Sequence, residues 1–125
     1  KRFSSVALDD QPDVLVAMSQ QAAEKFAMTV PTGGVVIYEA SLPEPRATEG
    51  VRVLAFPASR IAAEAGTPKA ANTALLGALT ALGLHGLPEE KVLLALDASF
   101  AAKPALVERN RKVYQAAFEW AKKNL

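Results

Sequence analysis

The chain has 125 residues, a length that predicts a single domain, and half of its residues are hydrophobic, which is enough for a core. Lysine and arginine together number 14 and aspartate and glutamate 13, so the net charge of +1 gives no electrostatic reason to expect nucleic acid or an anionic membrane as a partner. The absence of cysteine excludes disulfides and cysteine-held zinc or iron–sulfur clusters within the chain.

Three short apolar runs in the first half of the chain predict buried strands near residues 13–18, 34–40 and 51–56. A short helix is predicted in "SQQAAEKFAMTV", with Ser19 as its candidate N-cap, and the polar stretch "SLPEPRATEG" predicts a loop. Buried strands separated by crossovers favour a parallel arrangement. The predicted fold class is therefore α/β, with a mostly parallel sheet, flanking helices and a helical C-terminal half.

Helical patterns fill the remainder of the chain. Gly66 is placed to end a short helix after the third strand, and Pro68 begins the stretch that leads into the next one. Gly83 ends that helix, and Pro88 and Pro104 stand at the starts of the last two, where a first-turn proline is tolerated.

One polar side chain in "AGTPKAANTALLGALTALG" is not explained by the apolar helix around it. The helical spacing puts Asn72 on the side of Leu75 and Leu79, so we expect a mostly buried amide bonded to backbone outside its own helix, with direct ligand contact as the alternative. An unpaired buried amide would cost about 1–3 kcal/mol. Asn110 poses the same question on the last helix.

Gly77 lies in a helix interior, which costs about 1 kcal/mol relative to alanine, and so predicts that another element approaches closely there.

Motifs that carry chemistry are not found. The paired glycines of "TGGVV" precede a strand, whereas a phosphate loop needs glycines between a strand and the following helix, so a turn is predicted. The serines have no positioned histidine, so no nucleophile is assigned. The single histidine, His85, has no second histidine or cysteine with which to share a metal; a surface-loop role is predicted, with a ligand role as the alternative. We therefore assign no catalytic, cofactor-binding or metal-binding residue.

The order of these features resembles the γ subunit, or γ domain, of the 2-oxoacid:ferredoxin oxidoreductases. The matching segments are "PDVLVAMSQQAAEKF", "GGVVIYEASLP", "VRVLAFPASRIAAEAGTPKAANTALLGALTALG" and "LPEEKVLLALDASFAAKPALVERNRKVYQAAFEWA", which cover nearly the whole chain from Pro12. That family has an Asn-x-x-x-x-Gly-Ala helix and a last helix with an inward asparagine. Asn72, Gly77 and Asn110 fall on those positions, and Thr67 stands where the family often has asparagine.

The resemblance stops at the front of the chain. The family begins with a strand, a Gly-Gly-Gln-Gly loop, a helix and an Arg-Gly-Gly segment, and none of these is present. "KRFSSVALDDQ" resembles the strand that follows them. We therefore expect an N-terminally incomplete γ domain, whose exposed sheet edge and apolar surface favour self-association. Contact with coenzyme A that depends on the absent segments is not assigned.

The resemblance implies that the chain is part of an enzyme and that it has no catalytic centre of its own. The family converts a 2-oxoacid, coenzyme A and oxidised ferredoxin into an acyl-CoA, carbon dioxide and reduced ferredoxin. Thiamine diphosphate and iron–sulfur clusters are then expected on partner subunits, and Gly66, Asn72, Gly77 and Asn110 have structural or interface roles. We expect a cytoplasmic location, because no apolar run approaches the roughly 20 residues of a membrane span and no signal peptide is visible. The alternative is a stand-alone α/β module that binds a small ligand or a protein.

Overall fold

The computed structural model describes residues 13–125, so the segment "KRFSSVALDDQ" and the expectations attached to it lie outside the described residues. The described chain divides into two compact units, residues 13–57 and residues 58–125. The first unit alternates strands with a helix, and the second consists of helices joined by turns. The α/β class and the helical C-terminal half predicted from the sequence are confirmed.

All three predicted strands are present in one sheet of the first unit, but only the central one is fully buried; the two outer strands are mostly half-buried, because within residues 13–125 each has a strand neighbour on one side only. They are β1 (Val14–Ala17), β2 (Val35–Glu39) and β3 (Arg52–Phe56). The described strands lie in the order β1–β2–β3 and are all parallel, with Ile37 of β2 opposite Val16 of β1 and Leu54 of β3. Every residue of the central strand β2 is buried, which is why its sequence is continuously apolar until its last residue.

Short polar contacts define the connections between these strands. Helix α1 (Gln20–Phe26) follows β1, and the Ser19 hydroxyl accepts a hydrogen bond from the Ala22 amide at 3.1 Å, so the predicted N-cap is confirmed. The glycine pair forms a turn, as predicted, because Gly33 has a φ of +92° and its amide donates to the Gly50 carbonyl at 3.1 Å. The Thr32 hydroxyl donates to the Glu49 carbonyl at 2.8 Å and ties the polar loop to this turn.

Four helices make up the second unit: α2 (Ala58–Glu64), α3 (Ala71–Ala81), α4 (Glu89–Ser99) and α5 (Pro104–Asn124). Gly66 ends α2 as predicted. Its φ is +88°, its amide donates to the Ala63 carbonyl at 3.0 Å, and the Thr67 amide donates to the Ala62 carbonyl at 2.9 Å. This pair of bonds is a Schellman motif, which requires a left-handed residue that glycine adopts without strain.

The close approach expected at Gly77 is the packing of α3 against α5. A Cβ atom on Gly77 would lie 2.5 Å from the Tyr114 carbonyl oxygen and 3.1 Å from the Ala117 Cβ. The backbone of α5 therefore occupies the space that any side chain at position 77 would need. The conformational cost of a glycine in a helix is offset by the van der Waals contact that this approach permits.

The expectation that Asn72 is buried is wrong. Asn72 is exposed, whereas Thr73, Ala74, Gly77 and Ala78 are buried. Asn72 lies about 160° around the helix from Ala74 at 100° per residue. The face toward α5 is thus the one with small residues, because only small residues allow the two backbones to come this close. Leu75 is buried as well, whereas Leu79 is only half-buried, so the leucine spacing does not predict the position of Asn72.

A side-chain hydrogen bond joins α3 to α5 in the interior of this unit. The Thr73 hydroxyl donates to Asn110 Oδ1 at 2.7 Å, and Asn110 Nδ2 donates to the Leu106 carbonyl of its own helix at 2.9 Å. Thr73 is 7% exposed and Asn110 is 4% exposed. The inward position of Asn110 is as expected, and its interhelical partner is a threonine side chain rather than backbone.

Polar contacts and an apolar cluster hold α4 against α5. Arg111 donates through Nε and Nη2 to the two oxygens of Asp97, at 2.9 and 2.6 Å, and the hydrogen bond lowers the pKa of Asp97. The Tyr114 hydroxyl donates to Glu89 Oε2 at 3.0 Å. Val92 and Leu96 of α4 pack with Tyr114 in one buried cluster. The second unit is therefore organised around α5.

Replacing Gly77 with alanine should destabilise the chain by about 1–3 kcal/mol, because the added methyl group forces α3 away from α5. Gly77→Val should cost more. The free energy of unfolding in denaturant measures both. Ala116→Val, at an exposed position of α5, is the control for the lower helix propensity of valine and should cost less than about 1 kcal/mol. A Gly77→Ala variant that is more stable than the parent would contradict this packing.

The Thr73–Asn110 bond can be tested with a double-mutant cycle. Thr73→Val or Asn110→Leu alone should each cost about 1–3 kcal/mol, because each leaves a buried polar atom without its partner. The double variant should cost less than the sum of the two by about 0.5–3 kcal/mol, since it removes both polar groups together. Additive losses in the free energy of unfolding would show that the two side chains do not interact.

Candidate functional site

An open groove of about 570 Å³ lies in the second unit at the start of α3. The turn from Gly66 to Ala70 and the first turn of α3 form one side of the groove, and Phe100 and the first turns of α5 form the other. We call this the α3 groove. Its lining residues are Gly66, Thr67, Pro68, Lys69, Ala70, Asn72, Thr73, Phe100, Leu106, Arg109 and Asn110.

The start of α3 lacks a capping side chain where it meets the groove. Ala70 occupies the N-cap position and makes no side-chain hydrogen bond to the helix; its own carbonyl accepts the first helical bond from the Ala74 amide at 3.1 Å. The amides of the first turn of a helix have no intrahelical partner, and a serine or aspartate usually satisfies one of them. Alanine cannot, so this helix end can accept hydrogen-bond acceptors from outside the chain.

The groove carries positive charge. Lys69 and Arg109 are both exposed and line it, and none of the lining residues is acidic. The partial positive charge of the α3 N-terminus has the same sign. Phe100 and Leu106, both half-buried, add apolar surface. This combination suits an acidic or amide-bearing group presented on an apolar surface.

Two polar side chains of the groove have unused hydrogen-bonding capacity. The Thr67 hydroxyl oxygen is buried and has no hydrogen-bond partner. The Asn72 side chain is exposed at the groove, and within residues 13–125 its amide makes no hydrogen bond. A buried hydroxyl without a partner costs free energy that an incoming group recovers.

Three of the four residues singled out in the sequence meet at this groove: Gly66, Asn72 and Asn110. Gly77 does not line it and lies at the α3–α5 contact instead. The structural or interface roles of these four residues stay predictions. The sequence reasoning missed Thr67, Lys69, Thr73, Phe100 and Arg109 as lining residues. A signal for Thr73 was present, because threonine is small enough for the close-packed face of α3 and carries a hydroxyl that can satisfy Asn110.

The described residues contain no group of three or more histidine, cysteine, aspartate or glutamate side chains that could hold a metal ion. Among those same residues, no helix is both long and apolar enough to cross a membrane. What the α3 groove offers is hydrogen-bond donors, positive charge and apolar surface.

The chain is similar in sequence to subunits of known oxidoreductases. The family model described as pyruvate ferredoxin/flavodoxin oxidoreductase matches residues 1–120. Ketoisovalerate oxidoreductase subunit VorA from Methanothermobacter marburgensis is 42% identical over the whole chain, and VorA from Methanothermobacter thermautotrophicus is 39% identical. The chain spans only 26% of each VorA sequence. The 2-oxoglutarate synthase subunit KorC from Methanocaldococcus jannaschii is 33% identical over 90% of the chain and 60% of KorC.

Solved structures agree with the sequence comparisons. The keto/oxoacid ferredoxin oxidoreductase gamma subunit from Geobacter sulfurreducens superposes with a TM-score of 0.69 at 30% identity, over 87% of this chain and 63% of that subunit. A 2-oxoglutarate:ferredoxin oxidoreductase from Magnetococcus marinus shares the fold, with a TM-score of 0.79 at 23% identity over 94% of this chain and 21% of that chain. The resemblance inferred from the ordered motifs is confirmed, and the chain belongs to the pyruvate ferredoxin/flavodoxin oxidoreductase family.

Proposed function

We propose that this chain is the γ component of a 2-oxoacid:ferredoxin oxidoreductase and that it contributes binding surface rather than a catalytic centre. The family match over residues 1–120 carries the proposal. VorA and KorC are named as subunits of a ketoisovalerate oxidoreductase and of a 2-oxoglutarate synthase. Both names refer to a 2-oxoacid, but the 2-oxoacid differs between them. The proposed reaction of the complex therefore converts a 2-oxoacid, coenzyme A and oxidised ferredoxin into an acyl-CoA, carbon dioxide and reduced ferredoxin.

The donor atoms of this chain do not fit the cofactors of that reaction. An iron–sulfur cluster is held by cysteine thiolates, and the chain has none. The metal ion that accompanies a diphosphate is bound by oxygen ligands such as carboxylates, and residues 13–125 contain no group of three candidate ligands. We therefore assign thiamine diphosphate and the clusters to partner subunits, with coenzyme A a substrate of the complex, and propose that the 125 residues act as one γ domain.

The α3 groove is the surface that we assign to a partner subunit. Asn72 presents an exposed amide there, beside Lys69 and Arg109 and an uncapped helix end. Amide and cationic groups around an apolar floor are typical of interfaces, in which polar contacts fix orientation and apolar contacts supply affinity. The exposure of Asn72 supports this role, because an asparagine that only stabilised its own helix would be buried or bonded to it.

A stand-alone module that binds a small ligand is the alternative. The volume of the groove, about 570 Å³, lies within the range of roughly 300–1,000 Å³ that small-molecule sites occupy. The two proposals differ in whether the protein needs partner subunits to function. A γ component requires thiamine- and cluster-bearing partners for any activity, whereas a stand-alone module binds its ligand by itself.

The purified chain alone should not reduce viologen when given pyruvate, ketoisovalerate or indolepyruvate with thiamine diphosphate and coenzyme A. The reason is that it has no cluster to carry electrons. Adding the thiamine- and cluster-bearing subunits encoded with it should restore 2-oxoacid-dependent reduction. Turnover by the chain alone, measured by viologen absorbance, would show that the assignment of chemistry to partners is wrong.

Asn72→Ala should weaken assembly with the partner subunits about tenfold, which corresponds to about 1.4 kcal/mol, and should change the stability of the isolated chain by less than about 0.5 kcal/mol. Affinity is measured by titrating the variant into the partner subunits, and stability by thermal unfolding. Gln115→Ala removes an exposed helical amide that does not line the groove and should leave the affinity unchanged. Equal affinities for Asn72→Ala and the parent would place the interface elsewhere.

A further inference from the structure

The single histidine of the chain closes the turn between α3 and α4, residues 82–88. His85 is half-buried, and Gly83 and Gly86 on either side of it have φ values of +68° and +74°. Its Nδ1 atom accepts a hydrogen bond from the Leu87 amide at 3.0 Å, and its Nε2 atom lies 2.7 Å from the Thr80 hydroxyl oxygen near the end of α3. The imidazole therefore connects the last turn of α3 to the backbone just before α4.

These contacts fix where the imidazole proton lies. A backbone amide can only donate, so Nδ1 must present its lone pair to Leu87. A neutral imidazole then carries its hydrogen on Nε2 and donates it to the Thr80 oxygen. The Thr80 hydroxyl remains free to donate its own hydrogen to the Leu76 carbonyl, 2.8 Å away. With Nδ1 accepting from Leu87, the Nε2 hydrogen, the Thr80 hydroxyl and the Leu76 carbonyl are all satisfied together.

We propose that His85 is a pH-sensitive clasp, which holds the α3–α4 turn closed only while its imidazole is neutral and protonated at Nε2. An imidazolium has a hydrogen on both nitrogens. Its Nδ1 hydrogen would point at the Leu87 amide hydrogen across 3.0 Å, so protonation breaks this bond. At low pH the backbone that leads into α4 therefore loses its hydrogen bond to His85.

The surroundings of His85 favour the neutral state. Burial lowers its pKa below the ordinary value of 6.5, and a smaller effect of its own backbone acts in the opposite direction. Helix α3 contributes no titratable side chain. On α4, the Glu89 carboxylate accepts from the Tyr114 hydroxyl of α5, which lies near Thr80. Arg111 of α5 is engaged by Asp97.

The sign of the pH effect follows from these states. The unfolded chain, with its histidine near 6.5, binds the proton at a higher pH than the folded chain does. The stability that the clasp contributes is therefore fully present above about pH 6.5 and is lost as the pH falls from there through the folded-state pKa. No other histidine titrates in this window, because the chain has only one.

Nuclear magnetic resonance of the full 125-residue chain, prepared without a histidine tag, tests the proposal directly. We expect the Nε2–H tautomer at pH 8, a titration midpoint below 6.5, and a change of the Leu87 amide signal with the same midpoint. One pH unit below the midpoint the imidazolium outnumbers the neutral form about tenfold, so the clasped fraction should fall to about one tenth. An Nδ1–H tautomer, a midpoint at or above 6.5, or a Leu87 amide that ignores the titration would overturn it.

A variant pair separates the clasp from general acid sensitivity. Between pH 7.5 and 5.5 the parent should lose stability in denaturant unfolding, whereas His85→Gln should show little change over the same range. Thr80→Ser keeps the hydroxyl that accepts from Nε2 and should retain the parental pH dependence. If His85→Gln does not fold, the titration of the parent decides the question alone. A His85→Gln variant that keeps the full pH dependence would place the titrating group elsewhere.

Discussion

The absence of a side chain at Gly77 allows the backbones of α3 and α5 to meet, and much of the second unit follows from that contact. With α5 this close, only small residues can lie on the facing side of α3, which is why Thr73, Ala74 and Ala78 are buried there. The same approach brings the Thr73 hydroxyl within reach of Asn110. Tyr114, whose carbonyl lies at the contact, directs its ring toward α4 and its hydroxyl to Glu89.

The two ends of α3 serve different purposes. Its N-terminus opens onto the α3 groove, where an alanine cap, Lys69, Arg109 and Asn72 offer unsatisfied donors and positive charge. Its C-terminus is closed by His85 through Thr80. Eleven residues at 1.5 Å per residue separate these ends by only about 16 Å. The His85 clasp and the α3 groove therefore lie at opposite ends of the same helix.

The ionisable groups whose pKa is shifted lie apart from the α3 groove. Three of the shifts in the second unit have structural causes: burial raises the pKa of Tyr114 and lowers that of His85, and the hydrogen bond from Arg111 lowers that of Asp97. None of them lines the α3 groove. Catalytic sites bring perturbed groups together in a cleft. Here the cleft and these shifted groups are separate.

The classes of secondary-structure element and their order could be predicted from the sequence. Continuous apolar runs identified the three parallel strands, because a central parallel strand is buried on both faces, and glycine and proline marked the helix ends, because their backbone preferences are local. The ordered set of motifs also identified the family. Gly77 correctly indicated a close approach, since a helical glycine has a conformational cost that packing must offset.

The tertiary structure alone decided which face of α3 is buried and what lies on the opposite side. Helix α3 is apolar nearly all round, so its periodicity does not distinguish the leucine side from the small-residue side. The position of α5 selects the small side, because the backbones gain more contact there, and Asn72 is left exposed. The α3 groove is likewise assembled from residues as far apart in sequence as Gly66 and Asn110, which no local pattern connects. The protonation state of His85 depends on bonds to Thr80 and Leu87, which only the folded turn brings into position.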